Sequence, residues 1–125
     1  AAGQETGAGV RAEKIPPGLS MFTAGNRNDP HDTRVASYLP AFEAAPVPDP
    51  AAGDWKAWEA LLAAPGDVAP GTAMSFQMES GFGTSSSSLV ALPSVAAAHG
   101  TPPERPIWRF AAGPPEATLF QPLML

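Results

Sequence analysis

Cysteine is absent from all 125 residues. That excludes disulfides, thiolate zinc sites and a cysteine nucleophile within this chain, and it fits a reducing, cytoplasmic setting. Long apolar runs are also missing. No window approaches the roughly 18 consecutive apolar residues of a membrane span, so no membrane insertion is expected. The opening stretch AAGQETGAGVRAEK has no apolar h-region and does not read as a signal peptide. It has no initiator Met either, which hints at a portion of a longer protein. Cations are few: seven Lys and Arg against 12 Asp and Glu, for a net charge of −5. They are scattered and form no basic stripe, so no nucleic-acid surface is expected.

Large apolar side chains are scarce as well. Leu, Ile, Val and Phe number 23, while the chain holds 24 Ala, 16 Pro and 12 Gly. The length suits one domain, which would bury roughly 68% of the surface its unfolded chain exposes. With so few bulky residues that core must be thin. Their share falls just under the roughly 20% that flags disorder, but the net charge is too modest to complete that signature.

Residues 1–9 are Gly/Ala-rich and expected to fray. Val10–Ile15 alternates weakly, Pro16-Pro17-Gly18 punctuates, and Leu19–Thr23 is a second apolar run. Two short strands joined as a hairpin are predicted. Asp29 and Pro30 suit the N-cap and first position of a helix carrying Val35, Tyr38, Leu39 and Phe42, with Asp32 in its first turn. Pro40 lacks the N–H for the Ala36 carbonyl, so a kink or break is expected there.

Residues 46–53 form a Pro-rich connector. Asp54 is the expected cap of a second helix with Trp55, Trp58, Leu61 and Leu62 on one face, stopped by Pro65-Gly66 and followed by a turn-rich connector over 65–72. Ala73–Met78 is the most strand-like stretch. A strand over 84–92, entered through a bend at Gly83, a loop over 94–104 and a last strand over 106–111 follow. The apolar tail from Leu119 is expected to dock on the body. The order strand-strand, helix-helix, three strands predicts an α+β fold with mostly antiparallel pairing and two short helices.

Candidate chemistry is sparse. Gly81-Phe82-Gly83 lacks the third glycine and the following helix of a dinucleotide fingerprint; a bend with close strand packing explains Gly83. The run of four serines needs a base to supply a nucleophile, and only His31 and His99 are available, with no nucleophile elbow. Strand alternation, with serines on a polar sheet surface, accounts for them better. Two His with scattered carboxylates match no metal-ligand spacing. Trp55 and Trp58 read as core aromatics rather than as the lining of a ligand pocket.

Three segments in order carry a family resemblance: Lys14-Ile15-Pro16-Pro17-Gly18-Leu19 leading to Asn28-Asp29-Pro30, then Gly83-Thr84-Ser85-Ser86-Ser87, then Pro106-Ile107-Trp108-Arg109-Phe110. Together with the stretches Asp29–Phe42 and Asp54–Leu62, they resemble the C-terminal half of a bacterial member of the NRDE family, also called the transport and Golgi organization 2 family. The likeness covers residues 10–112. Asn26-Arg27-Asn28-Asp29 echoes the family's signature tetrapeptide. That signature belongs near the family's N-terminus, so the echo reads as a capping loop.

The resemblance implies part of an N-terminal-nucleophile-hydrolase-like αββα sandwich, with residues 1–125 one incomplete domain and the missing N-terminal half its partner. It implies a role related to haem or to lipid and acyl-CoA metabolism, with a small-molecule or acyl ligand. No other cofactor is expected. Gly83, Thr84, Ser85 and Ser86 would line the ligand cleft. Three alternatives stand beside a non-catalytic portion of such a protein: an amide or thioester hydrolase whose nucleophile lies in the missing half, a small-ligand carrier using Trp55 and Trp58, and a purely structural interaction domain.

Overall fold

The computed structural model describes residues 4–6, 9–64 and 73–124. The architecture is α+β with antiparallel pairing throughout, in the order β1 (Gln4–Thr6), β2 (Val10–Ala12), α1 (Thr33–Ala44), α2 (Lys56–Leu62), β3 (Ser87–Ala91), α3 (Val95–Ala98), β4 (Ile107–Ala111) and β5 (Gln121–Leu123).

The first hairpin differs from the expected one. β2 pairs backwards with β1, Glu5 opposite Arg11, inside the stretch expected to fray. Leu19–Thr23 is not a strand. The Asn28 side chain captures this segment instead. Met21 N donates to Asn28 Oδ1 at 2.7 Å and Asn28 N donates to Met21 O at 2.8 Å, closing the loop on itself. The amide of Asn28 thus takes the place a partner strand would fill.

α1 begins three residues later than the sequence pattern predicts. Asp32, not Asp29, is the N-cap: its Oδ1 accepts from Arg34 N at 2.9 Å and Val35 N at 3.0 Å. Asp29 closes a turn onto His31 N at 2.9 Å. Pro40 does not end the helix, which runs on to Ala44. The Ala36 carbonyl that it leaves without a donor belongs to an exposed residue, where water can serve it.

Trp55, not Asp54, occupies the N-cap of α2 and contributes no side-chain cap bond. Asp54 pairs with Asp49 through reciprocal backbone bonds of 2.9 and 3.0 Å, which close the connector into a loop. The expected stop at Pro65-Gly66 and the connector over 65–72 lie outside the described residues.

β3, β4 and β5 form the sheet that carries the core. Ser87, Leu89 and Ala91 stand opposite Ala111, Arg109 and Ile107, so these side chains share one face. Trp55, Leu89, Ala111 and Phe120 form the buried cluster on that face, with Trp58 and Leu62 of α2 packed against it. The tail docks as expected, as strand β5. Pro122 sits in the middle of β5, where a proline is tolerated because the strand is an edge.

Among the described residues, the opposite face is partly open to solvent. Val90, Trp108 and Leu123 lie side by side across the three strands, with Ser88, Phe110 and Gln121 in the next row. Val90 is 52% exposed and Leu123 39%. Trp108 Nε1 donates to Ser88 Oγ at 3.1 Å, so the indole lies along this surface.

Candidate functional site

Of the four residues Gly83 to Ser86, Gly83 and Thr84 belong to a second hairpin, and Ser85 and Ser86 lead from it into β3. Met78 N donates to Phe82 O and Gly81 N donates to Met78 O, at 2.8 and 2.9 Å. Gly81 has φ +90°, the left-handed conformation that a three-residue hairpin loop requires. Thr84 N donates to Phe76 O at 2.8 Å, while Thr84 Oγ1 accepts from Phe76 N at 3.2 Å. At Gly83 a Cβ would strike the Phe76 carbonyl oxygen, which is the close backbone approach only glycine allows. The strand expected over 73–78 is reduced to this arm. Ser85 and Ser86 are exposed. Strand β3 starts at Ser87 and not at position 84, because Thr84 bonds to Phe76 in the hairpin instead.

The concave site lies elsewhere. An apolar groove of about 270 Å³ opens between the captured loop, the two helices and the edge of β3. Leu19 and Met21 form one wall, Leu39 and Phe42 of α1 the second, and Leu62 of α2 and Leu89 of β3 the third. Phe42 and Trp58 meet edge to face at its floor, with ring centres 5.3 Å apart and planes at 87°. That contact is a favoured aromatic geometry and ties α1 to α2. Leu19, Phe42 and Trp58 also line an adjoining cavity of about 450 Å³ that runs past the end of α1 to Val47. The two form one trough within the ~300–1,000 Å³ range of small-molecule sites.

Ser20 Oγ is buried on the groove wall and finds no protein partner. Trp55 Nε1 and Ser75 Oγ are likewise buried and unpaired, Trp55 within the core and Ser75 behind Arg34 and Phe76. The Asp32 carboxyl is held below its usual range, first by the Thr23 hydroxyl donating at 2.6 Å and then by the Val35 N–H. Both bonds favour the carboxylate, as an N-cap requires.

Neither histidine reaches the trough. His31 is exposed, and His99 is exposed with Nδ1 2.9 Å from Val95 O. Among the described residues no group of three or more His, Cys, Asp or Glu could hold a metal ion. Among the described residues lining the trough, the thioethers of Met21 and Met74 are the side chains closest in type to haem ligands, and no cation is there to meet propionates. Among the described residues, no helix is long and apolar enough to cross a membrane.

Sequence pattern placed Val35, Tyr38, Leu39 and Phe42 on one helix face, and the first two are buried while the second two line the groove. Trp55 is core, as its helical spacing suggested, but Trp58 is shared between core and groove. The contribution of Leu19 and Met21 carried no local signal, since it depends on Asn28 folding that loop back. No family model, curated protein or solved structure matches this chain.

Proposed function

We propose that this chain is the C-terminal portion of an NRDE-family protein, acting as a binding and assembly unit with no catalytic group of its own. One observation carries the reading: helices cover one face of the β3–β4–β5 sheet, and Val90, Trp108 and Leu123 stand in a row on the other. A helix layer on a sheet whose far face is apolar is one half of an αββα sandwich. The second sheet would pack on that face at a spacing of about 10 Å. The exposed apolar residues Val90, Leu92 and Leu123 agree with a face made to be covered.

The upstream reading frame tests this. An in-frame Met-Cys start followed by the family's signature tetrapeptide is expected. A start codon directly before Ala1 overturns the proposal. On its own the chain is expected to self-associate. Val90→Lys together with Leu123→Lys should yield a monomer by light scattering with an unchanged far-ultraviolet circular dichroism spectrum. A wild-type chain that stays monomeric at high concentration and binds no hydrophobic dye counts against the open face.

The trough supports a second reading, a carrier for a small apolar ligand. Its aromatic floor of Phe42 and Trp58 is the observation that favours it. A saturable change in Trp58 emission on titration with an alkyl ligand is expected.

A further inference from the structure

The charges around the trough say which apolar ligand it takes, an inference that rests on the carrier reading. Among the described residues lining the two cavities, Glu43 alone is ionisable, and none is a cation. Glu43 stands in the last turn of α1, and Ala45, the C-cap, lines the same cavity. The last turn of α1 carries no basic residue. A 12-residue helix therefore brings its negative end to this cavity with no basic residue in its last turn, and Glu43 adds a full negative charge there.

Two independent sources of negative potential thus meet at one end of an otherwise apolar trough. An anionic head group placed there would be repelled by both and would find no Lys or Arg to pair with. A cationic head would be attracted by both. We propose that the trough binds a long-chain alkylamine: an ammonium head beside Glu43 and the α1 C-terminus, with its tail over Phe42 and Trp58 toward Leu62. Free fatty acids and acyl-phosphate compounds are selected against.

The test compares dodecylammonium, dodecanol and dodecanoate, each below its micelle concentration and at low ionic strength. Tryptophan emission is read in a Trp108→Phe chain, which removes the indole of the open sheet face. One-to-one saturable binding is expected. Dodecylammonium should bind about three- to fivefold tighter than dodecanol, and dodecanoate correspondingly weaker, as expected for a partly exposed charge contact. Glu43→Gln, a change at an exposed position, should shrink the ammonium advantage and leave dodecanol affinity unchanged; high salt should do the same. Equal or tighter binding of dodecanoate, or an ammonium advantage that survives Glu43→Gln, overturns the assignment of ligand class while leaving the carrier reading standing. Absence of saturable binding for all three probes overturns both.

Discussion

Arg109 on β4 and Glu59 on α2 meet across the interface between helix and sheet, Nε donating to Oε1 at 2.9 Å from positions 50 residues apart. The same guanidinium reaches the Phe120 carbonyl through Nη2 at 3.4 Å, so one side chain ties together the helix, the central strand and the approach to β5. Both partners are about three-quarters buried, with 23% and 28% of their side chains exposed. The pair should contribute more than an exposed bridge and less than a fully desolvated one. A double-mutant cycle with Glu59→Gln and Arg109→Gln is expected to give a coupling of about 0.5–1 kcal/mol by urea unfolding, reduced in high salt.

Asp32 makes the stability of α1 depend on pH. Its folded pKa lies below the ordinary 3.8, so the unfolded chain binds the proton more readily. The stabilisation is fully present above that ordinary value and fades as pH falls through the lower, folded value. Thermal unfolding of wild type and Asp32→Asn should therefore differ by a constant amount near neutral pH, with the variant melting lower. The gap should narrow on acidification below about pH 4. Thr23→Val, which removes the leading cause of the shift, should narrow the same gap and raise the carboxyl pKa read by NMR.

Adjacent residues on β3 should behave oppositely. Leu89 is 4% exposed and belongs to the core cluster, while Val90 beside it is 52% exposed. Leu89→Ala is expected to cost about 2–5 kcal/mol, enough in a core this small to unfold much of the population. Val90→Ala should stay within about 0.5 kcal/mol. Circular dichroism with urea titration separates the two.

Pro40 sits inside α1 on its exposed side. Pro40→Ala restores an N–H opposite the Ala36 carbonyl and removes the ring from the helix interior. A gain of about 1–2 kcal/mol is expected, less than the full ~3 kcal/mol proline penalty because the unfolded chain also gains freedom. Amide exchange at the neighbouring helix positions should slow, and the new N–H at position 40 should be protected.

The parts of the fold that sequence made legible are those governed by local periodicity. The stripe from Val35 to Phe42, the helix around Trp58, the strand from Leu89 and the strand through Trp108 each show in their own spacing. Boundaries failed where two candidates for one task stood close together. Asp29 and Asp32 can both cap, and Thr23 decides between them from nine residues away by bonding to Asp32. Ala73–Met78 reads as a strand, but among the described residues its ladder pairing is confined to the far arm of its own hairpin, as one bridge between Gln77 and Gly83, while Ser75 N donates to Ala64 O. Leu19–Thr23 reads as a strand, but Asn28 satisfies the Met21 backbone first. The trough was illegible for the same reason: its lining comes from five separate stretches of chain, and no spacing within one stretch encodes their meeting.

Pro122 gives the sheet a direction of growth. At the centre of a three-residue edge strand it offers no N–H to a newcomer, so the β5 side is closed to extension. Strand β3 is the other edge, and from Ser87 to Ala91 it contains neither proline nor charge. Any further strand must therefore be laid down beside Leu89, next to the wall of the trough. Adding to this sheet and altering the shape of that trough are one and the same event.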